Sequence, residues 1–166
     1  MKENQNNKNC YKIIEELGLH PLIAHHDPIL DYETAEKVDE ELGWNGAESK
    51  TLFLKGKSGK YYLFITLASE RMDSKLLKNQ VNEKVSMVSK DEMIELTNME
   101  PGCMTPFGFD ISIIESVVID PIILNEKELI GAFGSSTMSM QISSNDFEKI
   151  LKHCYGENII YLEKEA

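Results

Sequence analysis

One stretch restricts the folds open to this chain more than any other. Ser49-Lys50-Thr51-Leu52-Phe53-Leu54-Lys55 and Lys60-Tyr61-Tyr62-Leu63-Phe64-Ile65-Thr66-Leu67 are two apolar, aromatic-rich runs separated by Gly56-Lys57-Ser58-Gly59. Strand-forming residues on both sides of a short glycine connection predict a β-hairpin. A hairpin this apolar belongs in the middle of a sheet. Lys50 stands at its entrance, where a lysine either snorkels to water over the core or has a chemical task.

The rest of the chain supplies partners for that hairpin. Helices are predicted at Cys10–Leu17, closed by Gly18; at Tyr32–Leu42, capped by Asp31; and at about Asp73–Gln80. Two more are predicted at Lys90–Thr97, with Ser89 and Glu92 forming a capping box, and at about Asp146–Tyr155, capped by Ser144 or Asn145. Further extended runs fall at Pro21–His26, Val85–Val88, Ile113–Asp120, Glu128–Phe133, Thr137–Ile142 and Asn158–Leu162. Hairpin-linked strands with helices between and after them predict a single α+β domain over residues 10–166. Its sheet is expected to be mixed, mostly antiparallel and barrel-like, with surrounding helices. Residues 1–9 are polar and are expected to form a disordered tail.

Charge and cysteine usage narrow the function. A net charge of −11 argues against a sequence-independent nucleic-acid or DNA binder, while leaving room for a small basic pocket that grips one end of a strand. No run is apolar enough for a membrane span or a signal peptide. Three unpaired cysteines without a CxxC fit a reducing cytoplasm. No phosphate-binding glycine loop, HExxH or GxSxG is present. His25 and His26 are neighbours that a strand would point to opposite faces, so no metal site is expected, and no cofactor. Cys103, in a Gly/Pro loop, reads as an ordinary thiol; a cysteine-dependent enzyme is the weakest of the readings. Two glycine loops, Pro101–Gly108 and Gly131–Ser136, expose backbone N–H groups suited to close approach of a ligand, or are simple turns.

Taken with Lys50, these loops form a pattern: the lysine-led strand, Arg71-Met72-Asp73-Ser74-Lys75-Leu76, then Pro101-Gly102-Cys103-Met104-Thr105-Pro106-Phe107-Gly108, the strand end Val118-Ile119-Asp120, and a Gly/Ser loop before Ile142. With His26-Asp27-Pro28-Ile29-Leu30 ahead of it, the pattern resembles the YbaK/ProX family of aminoacyl-tRNA deacylases from about Tyr11 to Leu162. That family is similar to the editing domain inserted in bacterial prolyl-tRNA synthetases, and the free-standing ProX type is the nearest likeness.

The resemblance implies the YbaK/prolyl-tRNA-synthetase-associated fold and hydrolysis of the ester joining a wrong amino acid to the tRNA 3′ end, typically alanine on proline tRNA. It implies Lys50 as the catalytic residue. Thr51, Gly102, Thr105, Pro106, Phe107, Gly108, Gly134, Ser135 and Ser136 are the substrate-binding residues it implies. The implied partner is the acceptor end (3′ CCA with its amino acid), with help from prolyl-tRNA synthetase or an elongation factor because the surface is acidic. Where alanine-specific members carry a histidine this chain has Ala132 or Phe133, and where they carry asparagine it has Ser136. A catalytically retired relative that binds an amino acid or aminoacyl-tRNA is the alternative.

Overall fold

The computed structural model describes residues 3–164. Its strands are β1 (Leu22–His25), β2 (Ala47–Gly56), β3 (Tyr61–Leu67), β4 (Val85–Met87), β5 (Ile114–Ile119), β6 (Glu128–Ala132), β7 (Met138–Ser143) and β8 (Ile159–Tyr161). The helices are α1 (Gln5–Glu16), α2 (Tyr32–Leu42), α3 (Ser74–Val81), α4 (Lys90–Thr97) and α5 (Ser144–Tyr155).

The expected hairpin is the middle of the sheet. β2 and β3 pair antiparallel from Ser49 opposite Leu67 to Lys55 opposite Tyr61. β3 lies between β2 and β5, and packed clusters cover both of its faces, so residues 62–67 are buried, which is why the run is apolar without alternation. Phe53, Leu63, Ile65, Val117 and Ile119 join the main core with Phe107, Phe133 and α5 residues Phe147, Ile150 and Leu151. On the opposite face Leu54, Tyr62, Phe64 and Val118 meet Leu77 of α3.

The strand order is β1-β7-β6-β2-β3-β5-β8, with β4 added to β2. Antiparallel ladders join β1 to β7, β6 to β7, β2 to β3 and β2 to β4; parallel ladders join β2 to β6, β3 to β5 and β5 to β8. The α+β reading with a mixed, largely antiparallel sheet holds. Among the described residues β1 and β8 are edges that do not pair with each other, so the sheet does not close into a barrel.

The sheet has one short seam. β2 pairs with β6 only at Ala47 opposite Leu129 and Glu48 opposite Ile130; one further bond, from Ser49 Oγ to the Ile130 carbonyl (2.9 Å), ends the contact. The sheet therefore splits just before Lys50.

The expected tail is corrected, apart from Met1 and Lys2, which lie outside the described residues. α1 starts at Gln5 because Asn4 and Asn7 cap each other: each side-chain carbonyl accepts from the other's backbone N–H at 2.8 Å. This is a capping box with asparagine in place of the usual Glu or Gln, which hides it from a pattern search. Asn6 and Asn7 are buried. Asn6 Nδ2 donates to the carbonyls of Thr97 (3.1 Å) and Gly108 (2.8 Å), and Asn7 Nδ2 to the carbonyl of Phe133 (2.7 Å) and to Ser135 Oγ (3.1 Å). The first turn of α1 thus clamps both glycine loops.

Candidate active site

The split between β2 and β6 opens a cleft with a cavity volume of ≈ 40 Å³. At roughly 10–15 Å³ per water, that is space for about three waters. The start of α2 (Tyr32, Ala35) and the two loops close its other sides.

Register groups one set of its lining residues. Glu48 lies opposite Ile130, and Ala132, two residues on, lies opposite Ser139. Because alternate residues share a face, Glu48, Lys50, Ala132 and Ser139 sit on one side of the sheet. All four line the cleft.

Lys50 is half-buried, and its Nζ donates to the backbone carbonyl of Glu70 in the turn after β3. Burial pulls its ammonium below the ordinary lysine range, against the opposing pull of the Glu70 carboxylate. One donor is spent on Glu70; the remaining N–H groups are available to a ligand.

Of the sequence-predicted binding residues, Thr51, Gly102, Pro106, Ser135 and Ser136 line the cleft with Lys50. Thr105, Phe107, Gly108 and Gly134 stand behind it. Thr105 is a strut: its buried hydroxyl donates to the carbonyl of Ala132 (3.0 Å) and accepts from the Gly134 N–H (2.8 Å), tying one loop to the other. Phe107 is fully buried and meets Phe133 edge to face at 6.4 Å. Gly108 and Gly134 have left-handed φ of +91° and +85°, and a Cβ on either would strike α1: Cys10 Sγ at 2.5 Å for Gly108, backbone Asn6 C at 2.8 Å for Gly134. Those two glycines let a helix approach, not a ligand.

Glu48 is not singled out by the sequence; the structure places it in the cleft. Its carboxyl is pushed up to about 9, first by burial, then by a hydrogen bond with Asp39 and the charges of Asp39 and Glu36 on α2. A signal for it exists: Tyr32, Ala35 and Asp39 follow the i, i+3, i+7 spacing of one helix face, and Asp39 is buried with Ala35. An inward-facing acid requires a partner.

Cys103 is also at the cleft, but its Sγ donates to the carbonyl of Glu100 (3.1 Å) and burial pushes the thiol up, the reverse of what a thiolate nucleophile needs. His25 pairs with Glu3 (3.3 Å), whereas His26 turns to Ser139. No helix among the described residues is long and apolar enough to cross a membrane.

Residues 31–150 match the family model described as the aminoacyl-tRNA editing domain, a span that holds Lys50 and both loops. The prolyl-tRNA editing protein ProX of Acetoanaerobium sticklandii is 25% identical over 148 residues, covering 84% of this chain and 86% of that protein. Among solved structures, a candidate trans-editing enzyme for prolyl-tRNA synthetase superposes with a TM-score of 0.74 at 20% identity, over 99% of this chain and 100% of that one. The hypothetical protein APE2540 gives 0.74 at 20% identity, over 93% and 98%.

Proposed function

The chain belongs to the aminoacyl-tRNA editing domain family and is a hydrolase of aminoacyl-tRNA, and from that premise we propose that it clears mischarged tRNA in trans, with alanine on proline tRNA as its substrate. The observation that carries this reading is Lys50, half-buried at the mouth of a split sheet, inside the matched span and between both loops. An aminoacyl ester is labile, so the task is to hold the terminal adenosine, polarise the carbonyl and admit an oxygen nucleophile. Lys50 supplies a point charge for the terminal phosphate or the ester oxygen. The Gly102 N–H, on a backbone with a φ of +87°, supplies a donor for developing negative charge, while the next N–H, that of Cys103, is spent on the Glu100 carbonyl. Ser136 offers a hydroxyl from the second loop, while that of Ser135 is engaged with Asn7 and Thr137 and holds the loop in shape.

The small cavity supports alanine over larger residues. A synthetase rejects a smaller amino acid poorly by binding alone, so a second, small site is the physical remedy. The acidic chain supports short contacts at the acceptor end, with a synthetase or elongation factor supplying the rest of the affinity, in the cytoplasm. A second reading, a non-catalytic aminoacyl-tRNA binder, draws on Ala132 and Ser136 standing at the cleft where histidine and asparagine are expected. Release of labelled amino acid from a panel of mischarged tRNAs separates the two. Turnover of alanyl-tRNA for proline, ahead of the same tRNA charged with proline, is the expected result; binding without turnover on every member would establish the second reading.

A further inference from the structure

Among the described residues, one cation and two carboxyls line the cleft: Lys50, Glu48 and Asp31. Asp31 is exposed and already occupied, since it caps α2 by accepting the Thr34 N–H at 2.7 Å. Glu48 is half-buried and turned to two acids of α2, Asp39 and Glu36. A carboxyl set among carboxyls is stabilised by keeping a proton or by taking a cation.

Lys50 stands two residues further along the same strand, so both side chains rise from one face of β2, about 7 Å apart at their Cα atoms. They do not pair with each other: Lys50 turns to the Glu70 carbonyl and Glu48 to Asp39. The strand is held on both sides at Glu48, by Ile130 of β6 and by the Ala68 N–H, which donates to the Glu48 carbonyl at 2.8 Å. The cleft therefore presents a fixed cation and a fixed acid on one wall, each free to take a ligand of opposite charge.

An aminoacyl ester carries the matching pair. Its carbonyl oxygen gains negative charge during hydrolysis, and its α-ammonium sits on the neighbouring carbon. We infer that Glu48 takes the α-ammonium of the amino acid and so holds the ester carbonyl toward Lys50. The inference rests on the deacylase reading. Without a cation beside it Glu48 keeps its proton, being pushed up to about 9 by burial, then by the hydrogen bond with Asp39 and the charges of Asp39 and Glu36. An ammonium in contact offsets those charges, the proton leaves to solvent, and the carboxylate accepts N–H groups from the ligand. A ligand without the cation leaves the proton in place and gains no ion pair, so Glu48 selects for the amino group.

The test compares alanyl-tRNA with lactyl-tRNA, the same ester with a hydroxyl in place of the amino group. Each rate is divided by that of uncatalysed hydrolysis in the same buffer. The full chain is expected to accelerate the alanyl ester more than the lactyl ester by about 10–10²-fold. Glu48→Gln, which keeps the shape of the side chain, is expected to lose that preference by slowing the alanyl ester alone. Equal acceleration of the two esters by the wild type overturns the inference without any variant and leaves the deacylase reading intact. A folded Glu48→Gln protein that retains the preference overturns it equally. So does loss of the preference in Asp31→Asn, which keeps the α2 cap, with Glu48→Gln unaffected. A wild type that turns over neither ester nor any other aminoacyl-tRNA refutes the deacylase reading and this inference together.

Discussion

Replacing Gly134 by alanine tests the finding that this glycine serves helix docking. Its φ of +85° already disfavours a side chain, at about 1–2 kcal/mol. The new Cβ would also stand 2.8 Å from Asn6 C, 2.9 Å from Asn7 N and 3.0 Å from Asn6 O. Those are backbone atoms of a capped helical turn, so nothing flexible can yield, and the overpacking adds about 1–3 kcal/mol. The sum is about 2–5 kcal/mol. At about 2–4 °C per kcal/mol for a chain of this size, Tm should fall by about 10 °C. Gly59→Ala is the matched control: its φ is +95° and no atom lies within 4 Å of the added carbon, so only the backbone cost applies. Thermal unfolding followed by circular dichroism compares the two, and hydrogen exchange should show faster opening of α1 amides in Gly134→Ala alone. Equal losses in the two variants would refute the docking argument.

Three further outcomes are expected. Asn7→Ala strands the Phe133 carbonyl and removes half of the α1 cap, and should lower urea stability by about 2–3 kcal/mol; an unchanged midpoint would contradict the clamp. Glu48 is held near 9 in the fold against 4.5 ordinarily, so the folded state keeps a proton that the unfolded state loses, and stability falls as pH rises from 4.5 to about 9. Glu48→Gln should flatten that part of the Tm–pH curve, and a slope identical to wild type would show that Glu48 is not the group responsible. Cys103→Ala should keep wild-type turnover, since the thiol is buried and protonated; lost activity in a folded variant would return Cys103 to the chemistry.

The parts of the fold legible in the sequence are those written in local signals. The apolar hairpin, the caps at Asp31 and Ser89 and the αL glycine after α2 each act over a few residues and stand where their chemistry predicts, although the Glu92 carboxylate expected to complete the box at Ser89 turns to Lys55 and Tyr61 instead. The α5 cap is one residue earlier than expected, at Ser143. The N-terminal turn is not legible because Asn4–Asn7 is polar in composition, yet its amides are used up by carbonyls a hundred residues away. No local pattern encodes such partners. The glycine loops show the same limit: left-handed geometry is a property of one residue, whereas what faces it is tertiary, and Gly102 meets the cleft while Gly108 and Gly134 meet α1. Lys50 is legible as an anomaly, a charge opening an apolar strand. Glu48 is not, because the cleft it lines opens at a two-residue seam between β2 and β6, a parallel, long-range pairing.

The most direct test of Lys50 as the catalytic charge is deacylation of alanyl-tRNA for proline by wild type beside Lys50→Ala, with circular dichroism to establish that both are folded. The expected result is turnover by the wild type and its loss in the variant at unchanged Tm. A folded Lys50→Ala protein that clears the ester as fast as the wild type would contradict the role given to that lysine.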